Sequence, residues 1–509
     1  MREQRDVVIV GAGPVGLTAA LECARHGIAP LVLDAKEGVA WTSRAICLSR
    51  RAQDSFVRIG AANVVARGLG WTRGTTWYRD AEVFRLSMPQ GEDDRHLPFI
   101  NLQQFHTESL LLDALQATGC GEVRWNARGV GLTQDRDGAV VTLDDGTEIA
   151  ARLVIAADGA RSTLRDLCGL RLEGTSYEGR YLIADIEIAA DRAVERNVWF
   201  DSPANPGSTV ILHVQPDRMW RLDFQLREEE DSDAALEEDA VSARIARHLG
   251  MIGHAQTPWR LAWRSLYRAH CLTLPEYRCG RVLFAGDAAH LVPIFGVRGL
   301  NSGVDDAHNL GWKAAAFLRG DGTETILDSY SAERVAATRE NIAQATKSTW
   351  FMSPPTPGFA LLRDAALALA VHDEGFRPLV NPRQAAPFGY ATSPLTTPDP
   401  APAHGIAAGQ ALPDRPLDDG RWLFDALPRT GFFLIACGDV PGVEGVAQRL
   451  GVPVLAVRGA PAAALSGDGH CKLLLVRPDE HVAARFTSLD EAAIRIALAR
   501  ARGQEGRTA

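Results

Sequence analysis

No two cysteines stand at redox or metal-ligand spacing. The eight cysteines, at positions 23, 47, 120, 168, 271, 279, 437 and 471, include no C-x-x-C. A zinc site and a disulfide framework are therefore not written here, no metal is called for, and reduced, mostly buried thiols are expected. Long apolar runs are also missing. The longest, Phe359 to Val371, is interrupted by Arg363 and Asp364 and falls short of the ~18 to 20 residues a membrane span needs. The first apolar run, Val7-Val8-Ile9-Val10, is too short for a secretory signal, so the expected location is cytoplasmic. Positive charge is in deficit, with 54 basic against 63 acidic residues and a net charge of −9. No basic block offsets that balance, which argues against nucleic acid and anionic membrane as partners.

What is present is a chain of 509 residues, room for about three domains at ~150 residues each. With 46% apolar and 23% charged residues it can bury a large core. Residues 1–34 read as strand, glycine turn, helix and strand, a βαβ unit. Residues 106–118 carry apolar positions at helical spacing. A β-meander follows over about 122–157, with Asp145-Gly146 as a hairpin turn. Residues 177–226 alternate apolar and polar positions, which predicts an antiparallel sheet with one face covered. After an amphipathic helix near 235–250 the chain returns to an apolar strand at Arg281–Ala285. That order implies a nucleotide-binding domain with a sheet domain inserted into it. Ten prolines fall within 353–403, a composition that breaks regular structure and reads as a surface connection. Beyond it, strand-like runs alternate with helical patterns to the end, a small α/β domain.

Three motifs punctuate this plan. Gly11-x-Gly13-x-x-Gly16 lies between a strand and a helix, and Asp34 ends the next strand. The first glycine permits the tight turn, the second lets backbone N–H groups approach a pyrophosphate, and the third lets helix pack on strand. Asp34 would accept hydrogen bonds from a ribose, so the unit predicts dinucleotide binding. The second motif is Asp158-Gly159-Ala160-Arg161-Ser162, after the strand Leu153–Ala157. The third is Gly286-Asp287-Ala288-Ala289-His290, followed by Pro293 and the loop Gly296–Gly303. Taken singly, the last two are ordinary strand-end turns.

In this order, over about residues 5–350, the three motifs resemble those of the single-component FAD aromatic hydroxylases, typified by para-hydroxybenzoate and phenol hydroxylases. The resemblance implies that Gly11, Gly13, Gly16 and Asp34 bind the ADP part of FAD. It implies contacts with FAD and NAD(P)H for Asp158, Gly159 and Arg161, and with the ribityl and pyrophosphate for Gly286 and Asp287. Gly299, Leu300 and Asn301 would supply backbone contacts under the isoalloxazine ring. Arg44 matches the arginine that meets the pyrophosphate, and Gln104 the glutamine that contacts FAD, with Gln103 adjacent if the register slips. The sequence departs from the family in the ring loop, where Ile294 follows Pro293 and Arg298 precedes Gly299.

The implied fold class is α/β: a Rossmann-like FAD-binding domain, an inserted antiparallel β-sheet substrate domain and a C-terminal thioredoxin-like α/β domain. The boundaries read as 1–175 (with about 70–100 contributing to the substrate domain), 176–275, 276–352, the connection 353–403, and 404–509. With Cys437 and Cys471 standing alone, the last domain is expected to be structural or an oligomer contact, a homodimer being the assembly to look for.

The implied activity is a monooxygenation. NADPH or NADH reduces FAD, O2 adds at flavin C4a, and the hydroperoxide transfers oxygen to a phenol-like ring, the aromatic small-molecule substrate. The alternative is a dehydrogenase or reductase of the same superfamily without oxygen transfer. The substrate pocket is expected between the inner face of the 177–226 sheet and the Pro293 loop. His213, polar within an apolar strand, is the candidate base, and Pro293 a candidate carbonyl partner for a substrate hydroxyl. Tyr181, Asp185, Arg221 and Asp223 are comparable, the last two pairing on an exposed face. His290 reads as a structural partner of the flavin loop. Trp350, Phe351 and Met352 are candidates for the pocket wall or the core.

Overall fold

The computed structural model describes residues 2–41, 43–293, 295–380, 386–399, 405–467 and 469–504, without the side chain of Glu178. Its first sheet is built on five parallel strands. In spatial order they are Val282–Phe284, Glu148–Ala156, Glu3–Val10, Pro30–Leu33 and Glu122–Arg124. Strand residues such as Val7, Val8, Ile9, Val154 and Ile155 are fully buried, as a parallel sheet covered on both faces requires. The helices Pro14–Arg25 and Gly299–Arg319 pack on one another over it. The turns that follow three adjacent strands, Glu3–Val10, Glu148–Ala156 and Val282–Phe284, carry the Gly11, Asp158 and Gly286 motifs. Topology thus gathers at one sheet edge three segments spread over some 280 residues of chain, the edge where open α/β sheets bind ligands.

The second sheet has eight strands. Its inner members are Glu173–Ile188, Met219–Leu226, Val210–Gln215 and Arg196–Phe200, and Arg73–Tyr78 and Ala81–Ser87 complete one end. All its pairs are antiparallel except Arg196–Phe200 with Arg73–Tyr78. The outer face carries Leu182, Leu212, Leu222 and Phe224 beneath Val241, Ile245 and Leu249 of the helix Glu238–Met251. The alternation predicts one covered face, but both are covered. The inner face buries Tyr181, Asp185, His213, Arg221 and Asp223, because polar groups there find partners inside the protein.

The stretch 353–403 is not irregular throughout. Pro357–His372 is a helix of 16 residues with Thr356 as its cap and Pro357 in the first turn. Prolines 354 and 355 precede it, Pro357 opens it and the next is Pro378, so the composition of the whole window concealed a helix whose only proline sits in the first turn, where Pro is favourable. Several prolines of this stretch lie outside the described residues.

The C-terminal domain has the strand order Val454–Val457, Phe433–Cys437, Leu473–Val476, Val482–Phe486, the first pair parallel and the others antiparallel. The turn between its last two strands drives charged residues into the first domain. Arg477, Asp479 and Glu480 are all at most 1% exposed. Arg477 donates to both oxygens of Glu333 (2.7 and 2.9 Å), which also accepts from Lys313 at 2.6 Å and Asn309 at 2.7 Å. Glu480 accepts from Arg58 at 3.0 Å and pairs with His308 Nε2 at 2.6 Å, while His308 Nδ1 pairs with Glu22. These pairs lock the C-terminal domain onto the helix Gly299–Arg319. Among the described residues no helix is long and apolar enough to cross a membrane.

Removing one partner of a buried ion pair leaves an uncompensated charge, so Glu480→Gln should cost about 3 kcal/mol or more, read as a fall in the thermal midpoint. The two carboxylates overcome the burial that disfavours the His308 cation and raise its pKa from 6.5 to about 9. A histidine raised in the folded state contributes fully below its unfolded pKa, and that contribution is lost as pH rises through the folded one. The thermal midpoint should therefore fall between pH 6.5 and about 9, and Glu480→Gln should flatten that decline.

Candidate active site

The cleft at the sheet edge is shaped first by glycine. Gly11 has φ +110°, and a Cβ there would stand 2.2 Å from the Ala157 carbonyl oxygen. A Cβ on Gly16 would stand 1.8 Å from the Gly11 oxygen, whereas Gly13 faces open space. Two glycines thus let strand, turn and helix close up, and the third leaves room for a ligand. Asp34, at the end of the neighbouring strand, accepts the N–H groups of Ala12 (2.7 Å) and Lys36 (2.8 Å), which fixes its carboxylate at the rim.

Around this turn the structure gathers Lys36, Arg44, Gln104 and Glu108. Gln104 accepts the Ala45 N–H at 3.1 Å and donates to Glu108 at 2.8 Å. Arg44 is exposed, and its charge acts on both Glu108 and Asp287. Asp287 is open to solvent along the cleft but closely surrounded by protein, which pushes its carboxyl up while His290 and Arg44 pull it down. Asp158 accepts the Leu164 N–H at 3.1 Å, Gly159 turns with φ +80°, and Arg161 lies exposed beside them. Buried Glu108 Oε2 and Asp158 Oδ1 have no hydrogen-bond partner among the described residues, although Lys36 Nζ stands 3.9 Å from the former. Gly286 has φ +60° and packs against Val15. Gly299 and Leu300 open the following helix. Asn301 accepts from the Ser49 N–H and donates to the carbonyls of Cys47 and Val297. Acceptors awaiting donors, a free arginine and an open glycine turn suit a group with ribose hydroxyls and a pyrophosphate, as FAD has.

Two supports escaped the sequence reading. Arg165 donates to the carbonyls of Ala160 and Ala288, tying the second motif to the third. Asp306 accepts the Gly286 N–H (2.9 Å), His290 Nε2 (2.7 Å) and Arg334 Nε (2.7 Å), so His290 is a partner of the turn. Asp306 lies 20 residues after Gly286, about two turns into the next helix, a separation that gave no local signal.

A cavity of about 300 Å³ lies between the inner face of the second sheet and the loop after Pro293. Its walls include Thr75, Phe84, Phe200, Phe295 and Met352, an apolar lining suited to a ring. Phe351 joins Met352 in the wall, while Trp350 is exposed. The stretch read as a connection supplies Leu379 and Val380. A second cavity of about 350 Å³ lies beyond Arg298 to Ser302, but Arg50, Arg95 and Arg415 in it are already paired with Asp94, Asp414 and Asp425.

Two readings need correction. Arg221 is buried, and it pairs with Asp185 (2.8 and 2.9 Å) instead of Asp223. It also donates to the carbonyls of Ser43 and Arg44, so it carries the loop that presents Arg44. His213 does not line the cavity. It sits against Cys47 and Trp71, and burial together with Arg196 and Arg221 holds its pKa well below the usual histidine value. A neutral imidazole so reluctant to take a proton is a poor base for a phenol. Pro293 is buried at the head of the ring loop.

A dinucleotide-binding α/β domain, a glycine-edged cleft and a largely apolar cavity beside it define a cofactor-dependent enzyme with a small-molecule site. The FAD binding domain family model matches residues 4–345, and the model of the aromatic-ring hydroxylase C-terminal domain matches 406–504. A flavin-dependent monooxygenase of Mycobacteroides abscessus is 31% identical, over 85% of this chain and 88% of its own. The 6-methylpretetramide 4-monooxygenase of Streptomyces rimosus is 30% identical, over 94% and 90%. The crystal structure of the flavin-dependent monooxygenase PieE, in complex with FAD and substrate, superposes with a TM-score of 0.79 at 26% identity, covering 98% of this chain and 99% of its own. The chain belongs to the FAD-binding aromatic-ring hydroxylases, the flavoprotein monooxygenases.

Arg44 is exposed and does not hold the fold. Arg44→Ala should weaken FAD retention about tenfold, the loss of one charge-assisted contact, without moving the thermal midpoint of the flavin-free protein. Gly16→Ala, which forces a Cβ into the Gly11 carbonyl, should lower both. Flavin absorbance per protein after gel filtration, with a thermal melt, checks the pair.

Proposed function

We propose that this enzyme hydroxylates a phenol-like aromatic ring with FAD, O2 and NADPH or NADH. The observation that carries the reading is the apolar cavity directly over the loop that opens the helix Gly299–Arg319. FAD, when bound, supplies the two-electron redox chemistry and the activation of O2. The chain's own residues bind, orient and keep water away. Arg44, Lys36 and the N–H groups of the glycine turn would hold the pyrophosphate, and Asp34, Glu108 and Asp158 would accept from hydroxyls. Phe84, Phe200, Phe295 and Met352 would exclude water from the reacting ring, which suppresses loss of oxygen as H2O2. The Pro293 carbonyl is a candidate acceptor for a substrate hydroxyl. The role of base, expected of His213, is left without a suitable holder there.

We also read the C-terminal domain as thioredoxin-like in fold but not in chemistry. Cys437 and Cys471 are free and buried, and burial pushes the Cys437 thiol up to about 12, far from a reactive thiolate. A cytoplasmic setting fits free thiols.

Purified protein loaded with FAD should oxidise NADPH or NADH faster by about tenfold or more when a suitable phenol is added, with matching O2 uptake and little H2O2. Oxidation indifferent to every aromatic tried would sink the reading. Efficient turnover with an artificial electron acceptor and none with O2 would instead favour the dehydrogenase.

A further inference from the structure

The inner face of the second sheet carries a polar row whose members stand opposite one another on neighbouring strands. Arg196 faces His213, His213 faces Arg221, and Arg221 faces Asp185. Only one end of the row is neutralised, because Asp185 is engaged bidentately by Arg221. At the other end Arg196 lines the apolar cavity, and among the described residues no carboxylate lies within 4.0 Å of it. Asp223 is the acid whose charge reaches it, but Asp223 also interacts with Arg221 and Asp185. Lys347, exposed at the cavity wall, has no carboxylate partner within that distance either. Among the described residues the cavity lining therefore contains two cations and no acid.

A guanidinium drawn into an apolar wall without a counterion is costly, and the cost is relieved when a ligand brings the missing charge. Its planar fork of N–H donors matches two oxygens in one plane. We propose that the aromatic substrate carries an oxyanion, a carboxylate or an ionised ring hydroxyl, that pairs with Arg196 at the sheet side of the cavity. The inference rests on the hydroxylase reading for the word substrate, while the anion site itself stands on the cavity and its unpaired arginine.

The test is a titration of the FAD-loaded enzyme, without NADPH, following the perturbation of flavin absorbance. The probes are 3-hydroxy-2-naphthoate, its neutral counterpart 2-naphthol, and 4-nitrophenol on either side of its ionisation. Wild type should bind an anionic probe about tenfold or more tighter than the neutral one. Arg196→Met should abolish that preference and leave 2-naphthol within about twofold, and Arg196→Lys should keep part of it. A preference confined to the naphthoate assigns a carboxylate, and one confined to nitrophenolate assigns an ionised hydroxyl. Equal binding of anionic and neutral probes, or a preference that survives Arg196→Met, overturns the proposal. Arg196→Met should melt no lower than wild type, and a fall of many degrees would reveal a structural partner and count against it. NADPH oxidation is measured separately. If no probe stimulates it while the Arg196 effect persists, the hydroxylase reading fails and the anion site stands.

Discussion

A carboxylate taken out of water must meet a cation or a set of donors, and this chain buries several of them on or against one helix, four of which show the constraint. Glu22, Asp306, Glu333 and Glu480 are each at most 3% exposed, and an isolated buried carboxylate costs several kcal/mol at least. Apart from Arg25, which stands 3.6 Å from Glu22 and three residues on, their partners lie far along the chain. Glu22 needs His308, Asp306 needs His290 and Arg334, Glu333 needs Lys313 and Arg477, and Glu480 needs Arg58 and His308. The helix Gly299–Arg319 closes on the parallel sheet with its charges satisfied only when the C-terminal turn brings Arg477 and Glu480 to it. The third domain is therefore part of the nucleotide-binding domain's core.

That constraint extends to the cofactor turn. Arg334 joins Asp306 on one side and the Tyr390 hydroxyl on the other. The Tyr390 ring lies 4.3 Å from that of His481 and 5.2 Å from the Arg477 guanidinium. A continuous set of buried contacts thus runs from the C-terminal turn to the Gly286 N–H. Groups that must meet a charged cofactor gain most when their geometry is fixed beforehand. Here the fixing is done by side chains from the far end of the sequence.

What was legible in the sequence follows from range. The glycine turn, the Asp34 strand end and the hairpin at Asp145-Gly146 are written in consecutive residues, because each is a local steric demand. The order of motifs also carried the split first domain, since a parallel sheet can only be completed by returning to it. Partners across the sheets were not legible. Arg221 and Asp223 share one face of their strand and invite pairing with each other, but register places Asp185 directly opposite Arg221. His213 signalled function by being polar in an apolar strand, while its strength as a base depended on its burial and on two arginines from neighbouring strands. The helix Pro357–His372 was hidden by averaging over a window in which prolines cluster at the ends.

The loop beneath the cavity shows how the same logic divides rigid from variable parts. Val297 adopts φ +61°, a conformation a β-branched residue reaches only under compulsion. The compulsion is visible: Asn301 holds its carbonyl at 2.9 Å, and its side chain packs against the cluster of Trp71 and Phe99. Fixed on both sides, Val297 has little freedom to change its backbone conformation. The opposite wall is different. Leu379 and Val380 come from a segment lying beyond the helix Pro357–His372, which packs on Ala81–Ser87 and leaves Leu361, Leu362 and Leu379 more than 60% exposed. Few buried contacts tie that wall down, so its opening costs less than any movement of the loop. On the proposed reading, discrimination among ring systems falls to the helical wall and to Arg196, both of which line the cavity.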